Sequence, residues 1–103
     1  MNHLKMNVAV PIAQIRAVCE RHHVRKLALF GSVLLADFRP DSDVDVLVEY
    51  EPGTHISLFD MVDLEPDLES IFNYKIDLGM PSTLSKYIRH DVLKSSQVVY
   101  ERP

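Results

Sequence analysis

The chain has 103 residues, a net charge of −4, an apolar fraction of 47% and a charged fraction of 25%, which fits one small domain spanning 1–103. Cys19 is the only cysteine, which excludes an internal disulfide framework and fits a reducing compartment. No apolar run approaches membrane-spanning length and the N-terminal MNHLKMNVAVPIAQ lacks a signal-peptide hydrophobic region, so a cytoplasmic protein with no membrane contact is expected.

In chain order, Pro11 suits the first position of a helix, and Ile12, Ile15, Val18 and Cys19 follow at helical spacing, with an end expected near His22 or His23. Residues 27–30, LALF, form an unbroken apolar run closed by Gly31, the pattern of a buried central strand. A short helix is expected from Ser32 to Phe38, ended by Arg39-Pro40. Residues 43–49, DVDVLVE, alternate: Val44, Val46 and Val48 point one way, Asp43, Asp45 and Leu47 the other. After Glu51-Pro52-Gly53 the spacing predicts a helix over 56–72, with Leu58, Met61, Leu64, Leu68 and Ile71 as its stripe and either a kink at Pro66 or two abutting helices there. A strand near 75–78, a helix capped by Ser82 or Thr83 and carrying Leu84, Tyr87, Ile88 and Leu93, and a last strand over 97–100 complete the chain. Strands alternating with helices predict an α/β (α+β) domain, a small mixed sheet flanked by helices.

Charge is unevenly spread. Between Arg39 and Lys75 there is no lysine or arginine, while that interval holds ten carboxylates. Binding to a nucleic-acid backbone needs a basic patch, so direct nucleic-acid binding is not expected. Asp37, Asp41, Asp43 and Asp45 crowd into nine residues. Asp43 and Asp45, at i and i+2 on one strand, would place carboxylates on one face with Cα atoms about 6.6 Å apart. Like charges held that close repel, and the arrangement makes sense when cations sit between them. Mg²⁺ prefers oxygen donors, uses one or two protein carboxylates and completes its shell with water and phosphate. Gly31-Ser32, between a buried strand and an expected helix, is a layout in which backbone N–H groups and a hydroxyl hold phosphate. Either motif alone is weak: D-x-D is common on solvated strands, and most Gly-Ser pairs are turns.

Together they say more. Gly31-Ser32, ten intervening residues and Asp43-Val44-Asp45, in the context LALFGS…RPDSDVDVLVEY, resemble the signature of the DNA polymerase β-like nucleotidyltransferases, and their minimal nucleotidyltransferase branch in particular. The resemblance covers the chain from about Val24 to Glu101 and implies the polymerase β-like fold. It implies that Asp43 and Asp45 bind two Mg²⁺ ions bridging the phosphates of a nucleoside triphosphate, with ATP as donor. It matches Asp77, in KIDLGM, to a third carboxylate that completes a metal site and helps deprotonate the attacking hydroxyl, and it gives Gly31 and Ser32 the triphosphate. One position departs from the pattern: where many relatives carry an arginine after Gly-Ser this chain has Leu35, with Arg39 nearby.

Other chemistry-bearing residues have plainer readings. His22-His23 lacks further ligands at metal spacing and sits where a helix C-terminus favours histidine. Cys19 and Tyr87 read as packing residues. Asp60, Asp63 and Asp67 form an acidic row beside an apolar stripe, either a solvated face or a docking surface for a basic partner. The resemblance implies a partner of the HEPN type, a helical toxin encoded nearby that is neutralised by AMP transfer to a tyrosine. Two other readings stay open: an antitoxin that neutralises by contact alone, and a homo-oligomeric small-molecule nucleotidyltransferase with its acceptor pocket between subunits.

Overall fold

The computed structural model describes residues 10–31, 41, 43–81 and 84–102. The helix expected over Ser32–Phe38 lies outside them, as do Ser32, Leu35, Arg39, Ser82 and Thr83. The element order is α1 (Ile12–Arg21), β1 (Val24–Phe30), β2 (Val44–Tyr50), α2 (Leu58–Phe72), β3 (Ile76–Gly79), α3 (Lys86–Ser95) and β4 (Gln97–Glu101). The strands form one mixed sheet in the order β3-β2-β1-β4, antiparallel except for the β2–β3 pair. This is the mixed sheet with helices that the sequence predicts.

Strand alternation makes the core. Leu27 and Leu29 of β1 stand opposite Val48 and Val46 of β2, and all four are fully buried. The helices close over that face with Ile15, Val18 and Cys19 of α1 and Leu64, Leu68 and Phe72 of α2. Each such aliphatic side chain contributes roughly 1.5–3 kcal/mol on leaving water. An ionic tie joins the two helices at their rim, where Asp67 Oδ2 accepts from Arg21 Nη2 at 2.9 Å and lies 2.7 Å from His22 Nε2. The hydrogen bond to His22, then that to Arg21, holds the Asp67 carboxyl below the usual carboxylate range.

Several local expectations are corrected. β1 begins at Val24, three residues before the apolar run, because Arg25 is accommodated by an ion pair with Glu49 of β2 at 2.6 Å. Pro11 is the residue before the first turn of α1 rather than within it, and Ile12 is 49% exposed, leaving Ile15, Val18 and Cys19 as the stripe. α2 is one continuous helix through Pro66, which is exposed, rather than two abutting helices. The carbonyl deprived of its donor belongs to Val62, four residues back on the same outer side, where water can satisfy it. Leu58, expected in the core stripe, is 76% exposed. It lies roughly a quarter turn from the side occupied by Leu64 and Leu68. α3 is capped by Ser85, whose Oγ accepts from the Tyr87 N–H, rather than by Ser82 or Thr83. Tyr87 is not a packing residue here: its side chain is 81% exposed, with the Lys86 ammonium 5.5 Å from the ring centre.

Candidate active site

Alternation along the same strands sends Asp45 and Asp77 to the sheet face opposite the core. Asp45 lies inside β2 and is half-buried, whereas Asp77 lies inside β3 and is exposed. In the parallel β2–β3 ladder they are direct Cα partners, flanked by Val44 with Ile76 and Val46 with Leu78. Adjacent strands are about 4.8 Å apart, so two carboxylates that are far apart in sequence become neighbours on one face. Asp43 stands one residue ahead of β2 and is exposed. The following residue anchors it, because the Val44 N–H donates to the Lys75 carbonyl at 2.7 Å.

Register here is set from the core side. The Ile76 N–H donates to Glu69 Oε2 at 3.2 Å, which ties the start of β3 to the last turn of α2. Asn73 closes that helix in the left-handed conformation, its N–H on the Glu69 carbonyl at 2.8 Å. The helix end, the strand start and the placement of Asp77 are therefore one connected structure.

Gly31 completes the described part of the site. It follows β1, whose last residue Phe30 is the antiparallel partner of Asp45. Its φ of +76° is a conformation that side-chain-bearing residues rarely adopt. A Cβ there would collide with the Asp45 carboxylate. The requirement for glycine is thus both conformational and steric: backbone and carboxylate are in close approach. Ala28 and Leu47, cross-strand partners buried on this same side, form the apolar floor beside the carboxylates.

These donors, being carboxylate oxygens, suit a hard divalent cation. Among the described residues no group of three or more acidic, histidine or cysteine side chains is gathered closely enough to hold a metal by itself, so Asp43, Asp45 and Asp77 are not brought together as one ligand set. His22 is committed to Asp67, and Cys19 is fully buried with its thiol pushed up to about 12 by burial and then by Glu20, so neither belongs to a site. A cleft of about 700 Å³ between α1 and the end of β4 includes none of the three carboxylates; Arg102 there is paired with Glu51.

The mixed sheet with its helices is the fold of the nucleotidyltransferases. Residues 13–103 match the family model described as polymerase beta, nucleotidyltransferase, and the chain belongs to that family. Its relatives include the protein adenylyltransferase MntA of Thermococcus cleftensis, 40% identical over 81 residues that make up 79% of this chain and 78% of that protein. A solved minimal nucleotidyltransferase superposes with a TM-score of 0.68 at 30% identity, covering 82% of this chain and 85% of the other. The fold also recurs, at 17% identity and a TM-score of 0.56, in a chain of the solved complex between tri-AMPylated HEPN toxin and MNT antitoxin of Shewanella oneidensis, covering 87% of this chain and 69% of that one.

Proposed function

We propose that this chain transfers AMP from ATP, in the presence of Mg²⁺, to a tyrosine hydroxyl of a HEPN-type toxin in the cytoplasm, and so serves as the antitoxin. The observation that carries the reading is the pairing of Asp45 with Asp77 across parallel strands, with the Gly31 backbone against the Asp45 carboxylate. Two Mg²⁺ ions held by Asp43, Asp45 and Asp77 would neutralise the triphosphate and stabilise charge developing at the α-phosphate. Gly31 and Ser32 would hold the triphosphate, with backbone N–H groups and the Ser32 hydroxyl donating to phosphate oxygens. Asp77, exposed on its strand, would help to take the proton of the incoming hydroxyl. The hydroxyl oxygen then bonds to the α-phosphorus as the bond to the pyrophosphate oxygen breaks, and pyrophosphate leaves. Positioning and charge neutralisation provide most of the rate in transfers of this kind. The name of the Thermococcus relative and the AMPylated toxin of the Shewanella complex support both donor and partner.

Intact-mass spectrometry tests this directly. The helical protein encoded beside this chain, incubated with it, ATP and Mg²⁺, should gain AMP units that chelator and Asp43→Asn both prevent. A partner that is bound and neutralised but gains no mass with any nucleoside triphosphate removes the transfer reading. Leu35, in place of the arginine many relatives carry, favours that second reading, an antitoxin acting by contact.

A further inference from the structure

α2 buries one side in the core and leaves a second apolar side in water. Leu58, Phe59 and Val62 are 76%, 79% and 58% exposed, and Pro66 continues the line one turn further. Phe59, Val62 and Pro66 fall at i, i+3 and i+7, the spacing of a helix seam. An apolar seam on the outer side of a helix whose inner side already fills the core has no part in folding this domain.

The charge around the seam identifies what covers it. Within its 15 residues α2 carries Asp60, Asp63, Glu65, Asp67 and Glu69, and no lysine or arginine. Asp67 is matched by Arg21 and His22; among the described residues no cation pairs with the other four. Asp60 and Glu69 at least accept hydrogen bonds from backbone N–H groups. Asp63 and Glu65 flank Val62 and Pro66 on opposite sides of the seam, following the helical angle. A second copy of this helix would bring like charge against like, and nucleic acid or an anionic bilayer would be repelled.

We infer that the outer side of α2 is a docking surface for a basic amphipathic helix of a partner protein: its apolar residues meet Phe59, Val62 and Pro66, and its lysines or arginines meet Asp63 and Glu65. The surface lies beyond the helix layer, whereas Asp45 and Asp77 occupy the far side of the sheet. Holding a partner and modifying an acceptor are therefore separate events on opposite sides of the domain, whose extents are 38 × 33 × 26 Å. A toxin of the kind proposed above is one such partner, but the inference stands on α2 alone and survives if transfer chemistry is absent.

The test uses the full chain and two synthetic helical peptides with leucines at seam spacing, one with lysines elsewhere and one with glutamates. Calorimetry should show the Leu/Lys peptide binding and the Leu/Glu peptide failing to bind. Val62→Asp should weaken the Leu/Lys peptide at least about tenfold, as loss of a central apolar anchor does. Phe59→Ser, which alters no charge, should weaken it in the same direction. The double variant Asp63→Lys/Glu65→Lys should also weaken it and reduce its salt dependence. Tighter binding by Val62→Asp overturns the inference, because non-specific attraction to an acidic surface grows with each added carboxylate. So does light scattering that finds a dimer which Val62→Asp converts to monomer, since the occupant would then be a second copy. Mg²⁺-dependent ATP binding, measured on the same variants, reads the transfer site separately: its absence in the unmodified chain counts against the proposed function and leaves docking untouched.

Discussion

The two faces of the sheet are made by the same strands and could hardly differ more. On the α1–α2 face, Leu27, Leu29, Val44, Val46 and Val48 meet Ile15, Leu64 and Leu68 without a polar atom among their side chains. On the other, Asp45 and Asp77 stand opposite each other where paired strands would ordinarily avoid like charges. A period of two allows seven residues of β2 to hold the domain together with one side and to present a carboxylate on the other. Substitutions on one face should therefore leave the other's property largely intact, and breaking each in turn measures how separate they are.

The largest effect is expected from Asp77→Asn. Transfer should fall by at least about a hundredfold, the scale of losing one charge-stabilising group, in an assay of AMP incorporation. Thermal melting of the same variant should be unchanged or slightly higher, because a cross-strand repulsion of roughly 0.2–1 kcal/mol is relieved. A sharp drop in the midpoint would mean that the acid has a structural role and the two faces are not separable. Leu64→Ala tests the converse: it should cost about 2–5 kcal/mol in denaturant unfolding, while the folded fraction retains Mg²⁺-dependent nucleotide binding.

Gly31→Ala falls between the faces. The left-handed φ should cost about 1–2 kcal/mol, and the new Cβ must displace the Asp45 carboxylate. Nucleotide affinity measured well below the melting range should fall more than the loss of stability explains. The smallest effect belongs to Asp67→Asn. Because the folded Asp67 carboxyl titrates below its ordinary value of 3.8, its stabilisation is fully present above that value and is lost as pH falls through the folded value. The unmodified chain should therefore melt modestly higher than Asp67→Asn at neutral pH, and the gap should close below pH 3.8. A gap that persists in strong acid would mean the side chain acts through packing rather than charge.

The strands were legible wherever apolar runs or strict alternation marked them, as in LALF and DVDVLV. Local pattern showed nothing of register. That Asp77 stands opposite Asp45 depends on where α2 ends and on the Glu69 carboxylate taking the Ile76 N–H, contacts between segments the sequence does not place together. Asp77 was reached only through family resemblance. The acidic row on α2 was visible, but its members diverged: Asp60 turns back to the Ser57 N–H at 2.7 Å, Asp67 binds α1, and Asp63 stays in water. Leu58 was misplaced because a helix with apolar residues on two sides offers no single stripe to read. Ser32 lies outside the described residues, so its role rests on the resemblance.

The parallel pairing of β2 with β3 also has a consequence for the order of events during synthesis. An antiparallel partner for β1 is available once the chain has been made through Tyr50, but the Asp45–Asp77 pair requires the whole of α2 to be made and folded back first. Closing that long excursion is a slow, non-local step compared with forming the strand pair. A ribosome-bound chain thus carries Gly31 and Asp45 well before Asp45 gains Asp77 as its strand partner, and the carboxylate face is assembled only after the core has closed.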